Sequence, residues 1–124
     1  MALVLNLGGE GEVPGTIDVN SLKATLRRPE TFVQPGRFIQ ADFRALPIRS
    51  SVVDEVVGRR IPLQRSESDD LRVAEEAYRV LASGGRVRLL PTFPADRLQL
   101  ALTLAGFANV TLKGGFAIGE KHSG

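Results

Sequence analysis

The stretch SESDDLRVAEEAYRVLASGGRVRLLPTF, residues 66–93, decides the fold class, because every local signal within it agrees. Leu71, Ala74, Ala77, Tyr78 and Leu81 recur at helical spacing, leaving Arg72, Glu75, Glu76 and Arg79 around the other side. The pattern predicts an amphipathic helix. Ser66 or Ser68 can cap its start. Asp69 and Asp70 occupy its first turn and Arg79 its end, each charge where the helix dipole favours it. Gly84 and Gly85 are expected to stop the helix, since glycine reaches the left-handed conformation without a Cβ clash, and Arg86 to Pro91 then reads as a strand ended by proline. A helix feeding a strand through Gly-Gly is half of an α/β unit.

Working outward, Ala2 to Leu7 is apolar apart from Asn6, as expected of a strand buried on both faces of a parallel sheet. Gly8 to Gly15 holds four glycines and a proline and reads as a loop. Thr16 to Asn20 follows as a second strand, and Ser21 can cap a helix running to Arg28. Residues 29–36 read as a connection and Arg37 to Asp42 as a third strand. Phe43 to Ser51 should be a loop, Val52 to Gly58 a fourth strand rich in β-branched residues, and Arg59 to Arg65 a loop at that strand's end. Pro94 suits the first turn of a helix reaching Ala105 and stopped by Gly106. Phe107 to Leu112 and Phe116 to Lys121 complete a hairpin around Gly114-Gly115. Strands alternating with helices and closing with a hairpin predict a three-layer α/β sandwich over a single domain, residues 1–124.

The phrase EEAYRVLASGGRVRLLP resembles the fourth-helix-to-fifth-strand segment of class I methyltransferases that use S-adenosylmethionine. The likeness runs from Leu3 to Glu120 and implies a Rossmann-like, mostly parallel sheet with a C-terminal antiparallel hairpin. It leaves no room for the family's leading helix or for its crossover helix between the first two strands. The short link between those strands is still long enough. Roughly eight extended residues reach about 26 Å, against roughly 15 Å for a short strand.

On this resemblance, Leu5-Asn-Leu-Gly8-Gly9-Glu10-Gly11 stands for the usual Leu-Asp-Leu-Gly-x-Gly-x-Gly, which wraps the methionine part of the cofactor. Asn6 replaces the acidic residue, and Glu10 replaces the second glycine, where it either crowds the cofactor or faces its amino group or sulfonium; the alternative for the loop is a tight structural turn. A nicotinamide-binding loop fits less well, since Pro14-Gly15 follows where a helix should open. Asn20 either holds the ribose hydroxyls, with Asp18 nearby, or caps the helix after it. Ala41-Asp42-Phe43, followed by Leu46-Pro47, is similar to the family's Ala-Asp-x-x-x-Leu-Pro, which implies that Asp42 accepts from the adenine amino group and the Phe43 amide meets a ring nitrogen. The alternative for Asp42 is a solvated strand end. Asp54 reads as structural. After the fourth strand, Gly58-Arg59-Arg60-Ile61-Pro62 offers no base; Arg59 and Arg60 either clamp a carboxylate or phosphate on a substrate or form a solvated edge. His122 has no role. The resemblance therefore implies methyl transfer to an unknown small acceptor. The alternative is a methyltransferase-fold binding or scaffold subunit without activity.

Composition narrows the partners. Apolar residues make up 43% and charged residues 24%, which excludes a disordered chain. The net charge of +2, with no Trp and one Tyr, leaves neither a basic tract nor a stacking platform, so no nucleic-acid partner is expected. The absence of cysteine rules out disulfides and thiol-ligated metals, and no metal site is expected. No run is long enough for a signal core or membrane span, which points to a cytoplasmic protein. Without the missing helices, a sheet face near Leu3, Leu5 and Ile17 is expected to be open to water, and so to pair in a homodimer or with a partner subunit.

Overall fold

Period-two apolar patterning builds one sheet, which a computed structural model describes over residues 3–8, 15–20, 38–61, 67–91 and 95–122. The elements are β1 (Val4–Leu7), β2 (Ile17–Asn20), β3 (Phe38–Gln40), β4 (Val53–Ile61), α1 (Glu67–Val80), β5 (Leu81–Pro91), α2 (Asp96–Ala105), β6 (Ala108–Lys113) and β7 (Phe116–Glu120). The seven strands lie in the order β3-β2-β1-β4-β5-β7-β6. Neighbours from β3 to β5 are parallel, while β7 is antiparallel to both β5 and β6. β1 and β2 are parallel neighbours, as the sequence predicts. The chain direction across the sheet reverses between β1 and β4, and open α/β sheets bind ligands at such a switch point.

The register explains the core. Leu5 stands beside Ile17 and Val56, Leu7 beside Val19 and Gly58, and Leu89 between Gly58 and Ala117. These side chains share one face and join a single buried cluster with Val73, Ala74, Ala77 and Val80 of α1 and Leu98, Ala101 and Leu102 of α2. Both described helices cover that face. The helix expected at Ser21 to Arg28 lies outside the described residues, as do the connection at 29–36 and Pro94. The face expected to be open is corrected: Leu5 is 1% exposed, and Leu3 and Ile17 pack against the core. The opposite face carries half-buried Val57, Leu90 and Ile118 with the ion-paired Glu55 and Arg88. Among the described residues, no helix is long and apolar enough to cross a membrane.

Three boundaries differ from the sequence reading. α1 ends at Val80, before Gly84, because distant groups satisfy its last carbonyls. The Ser51 and Val52 amides donate to Arg79 and Val80 at 2.8 and 2.9 Å, and Lys121 Nζ donates to Tyr78 and Leu81 at 2.9 and 2.7 Å. The helix therefore needs no glycine stop. Leu81 already pairs with Val53, and the double glycine sits in the irregular stretch before Arg86 meets Glu55. A Cβ on Gly85 would lie 2.8 Å from the Ala82 carbonyl oxygen. β4 continues through Arg59 and Arg60 to Ile61, where a loop was expected, because β5 supplies Leu90 and Pro91 as partners. At the other end of the sequence the reading holds. Gly106 (φ 110°) ends α2, with its own N–H on Thr103 and that of Phe107 on Leu102, and Gly114 and Gly115 (φ 59° and 84°) form the hairpin turn.

Candidate functional site at the carboxyl rim

Parallel β1, β2 and β3 place Gly8, Asn20 and the Ala41-Asp42-Phe43 segment at three neighbouring strand ends. Gly8 takes φ 76°, which favours glycine, and its amide donates to the Val19 carbonyl at 2.7 Å, so the chain turns off the sheet immediately after Leu7. Gly9, Glu10 and Gly11 lie outside the described residues. β4 flanks β1 on its other side. Gly58 pairs with Leu7, which puts Arg59 level with Gly8 at the same rim and Arg60 one residue beyond. The sequence-predicted residues that the structure describes therefore gather at one edge of the sheet.

Asn6, the departure from the family's acidic residue, has a local explanation. It is buried directly opposite Asp18 in the β1–β2 register, and its Nδ2 donates to Asp18 Oδ1 at 3.3 Å. A carboxylate at position 6 would face a second carboxylate across the strands, and like charges directly opposite are destabilising. Asn6→Asp is therefore expected to cost about 1–2 kcal/mol, the size of a lost hydrogen bond plus that repulsion. Urea denaturation checks it, with Asp18→Asn in the same chain restoring most of the loss.

Asp42 sits just beyond β3, half exposed, and is gripped by Arg44. The Arg44 amide donates to Oδ1 at 2.8 Å, Nε to Oδ1 at 3.0 Å and Nη2 to Oδ2 at 2.6 Å. Arg44 Nη1 reaches on to Asp69 Oδ1 in the first turn of α1 at 3.0 Å. The Asp42 hydrogen bond first, and then that to Asp69, raise the Arg44 pKa above its ordinary range. Phe43 is half-buried and packs against the core, which fixes the backbone on which its amide stands.

The Leu46-Pro47 part of the same motif is anchored by α1. Leu46 is buried, its amide donates to Glu76 Oε1 at 2.8 Å, and Arg79 donates to the Leu46 and Ile48 carbonyls at 2.9 and 2.8 Å. Glu76 and Arg79 also pair with each other at 2.7 Å. This pairing leads the causes that lower the Glu76 pKa, and the Leu46 amide adds to it. A depressed carboxylate pKa contributes stability above its unfolded value and loses it as pH falls through the folded value. Glu76 is thus expected to support the fold at neutral pH and to lose that contribution as pH falls from its ordinary value of 4.5 through the lower folded value. Glu76→Gln should cost about 1–2 kcal/mol at pH 7 and progressively less in acid, as read from urea midpoints between neutral and acid pH.

Asp54 lies at the opposite end of the sheet, where its Oδ2 accepts from the Leu3 amide at 2.7 Å and ties β4 to the start of β1, a structural role. His122 is exposed beyond β7. Sequence reasoning missed Arg44, Asp69 and the Asn6–Asp18 pair.

No protein-family model matches this chain, and no curated protein matches it. Solved structures do. Human N-acetylserotonin methyltransferase, solved in complex with S-adenosylmethionine, superposes with a TM-score of 0.73 at 14% identity over 98% of this chain and 48% of that one. PigF with SAH gives 0.68 at 19% identity over 97% and 56%. A methyltransferase of Methanococcus maripaludis, described as dependent on S-adenosylmethionine, gives 0.73 at 17% identity over 99% and 78%. The chain spans about half the length of the first two. The fold is that of the class I methyltransferases.

Proposed function

We propose that the carboxyl rim binds S-adenosylmethionine and that the chain transfers its methyl group to a small acceptor near Arg59 and Arg60. The observation that carries this reading is the arrangement of Gly8, Asn20 and Asp42-Phe43 at successive ends of β1, β2 and β3, beside the switch point. A left-handed glycine at a strand end and a half-exposed carboxylate on the rim suit a nucleoside with an amino acid tail. The Phe43 amide would meet the adenine ring, and Asn20 would accept from the ribose. Gly9, Glu10 and Gly11, which the resemblance assigns to the methionine part, lie outside the described residues.

The sulfonium supplies an activated methyl group. Gly8, Asn20, Asp42 and Phe43 would hold the donor, and Arg59 and Arg60 would hold an anionic group on the acceptor. Alignment of the two partners supplies much of such a rate, so the site's task is positioning. A second reading, a binding or scaffold subunit without transfer, is favoured by Glu10 in the glycine loop.

Calorimetric titration with S-adenosylhomocysteine tests the binding step. Saturable binding is expected, weakened by about tenfold or more in Asp42→Ala, since a hydrogen bond to a charged group is worth about 1.5–3 kcal/mol. No heat at millimolar ligand would leave only the scaffold reading.

A further inference from the structure

The rim holds one side chain that the proposed site leaves without a task. Arg44 is held at both ends: its fork meets Asp42 and its remaining Nη meets Asp69. Asp69 belongs to α1, whose Val73, Ala74, Ala77 and Val80 are sealed in the core. The guanidinium therefore runs from a rigid helix to a carboxylate that follows a three-residue strand. A lone aspartate there would rotate about two side-chain bonds. A planar fork on both oxygens, with the Arg44 amide also on Oδ1, fixes the carboxylate plane. The Arg44 and Asp42 side chains remain 41% and 50% exposed, and ion pairs so exposed add little to stability. The arrangement orients a group better than it holds a fold.

We infer that Arg44 is a positioning residue, which sets the Asp42 carboxylate to accept from the 6-amino group of adenine and so tunes the rim for 6-aminopurines. The inference rests on the rim being an S-adenosylmethionine site. A group fixed before binding loses less freedom when the ligand arrives, so the effect belongs to affinity and base selectivity.

The test is a titration of S-adenosylhomocysteine, and of its 6-oxo (hypoxanthine) analogue, into the wild type, Arg44→Ala, Asp42→Ala and the double variant. Urea midpoints confirm that each is folded, and Arg44→Gln serves as a second variant that keeps the side chain's bulk. Removing the Arg44 side chain should weaken S-adenosylhomocysteine binding by about fivefold to tenfold and leave the already weaker 6-oxo analogue within about twofold. It should add nothing in the Asp42→Ala background, the signature of two groups acting as one. If Arg44→Ala and Arg44→Gln bind as well as or better than wild type, lose both ligands equally, or add fully to Asp42→Ala, the positioning role is overturned while the rim remains a nucleoside site. If the wild type itself does not bind, the reading of the rim fails and the role of Arg44 falls with it.

Discussion

Leu89→Ala is expected to lower the unfolding free energy by about 4 kcal/mol, toward the upper end of the range for buried leucines. Leu89 is fully buried in β5, and its register partners on either side are Gly58 and Ala117. One has no side chain and the other a single methyl, so neither can lean into the space that truncation opens. The cost of a large-to-small change rises with the cavity that remains, and this site has little means to collapse. Domains of this size are stable by only about 5–15 kcal/mol, so a loss of this size removes a large part of the total. Urea denaturation measures it, and Leu89→Met, which conserves volume, should cost less than about 1.5 kcal/mol. A loss below about 1 kcal/mol for the alanine variant would mean that the two helices do not close over this row as described.

Arg97→Ala is expected to cost about 3 kcal/mol, the low end for a broken buried ion pair. Asp70, in the first turn of α1, is 1% exposed, and Arg97 Nε of α2 stands 2.6 Å from its Oδ2. Removing the guanidinium takes the ion-pair partner from a carboxylate out of reach of water. The low end applies because Asp70 keeps a further interaction when the guanidinium is gone. Replacing a buried pair by apolar residues of similar volume is often neutral or stabilising, so changing both residues to leucine should recover most of the loss. The three variants measured together by denaturation form the check. An Arg97→Ala change within about 0.5 kcal/mol of wild type would show that the pair contributes nothing across the α1–α2 contact.

Much of this architecture was legible because period and punctuation agree. The apolar run of β1, the β-branched run of β4, the stripe Ala74–Ala77 in α1, Gly106, and Gly114-Gly115 each act through their immediate neighbours. The end of α1 was not legible, since its caps come from Ser51, Val52 and Lys121, which only the folded sheet brings near. Arg59 and Arg60 read as a loop by charge, yet β5 offers the backbone partners that extend β4 past them. The rim was half legible. Asp42-Phe43 and Gly8 were found by motif, whereas Arg44 carries no signal until Asp69 is seen beside it. Asn6 looked like damage to the site and is instead one half of a matched pair with Asp18.

The most direct measurement is the mapping of S-adenosylhomocysteine onto the backbone amides of isotopically labelled protein by nuclear magnetic resonance. Shifts should concentrate at Gly8, Asn20 and Phe43 and saturate together, while Leu3 and Asp54, at the opposite end of the sheet, stay in place. Shifts centred on that opposite end, or none at millimolar ligand, would contradict a nucleoside site at the carboxyl rim.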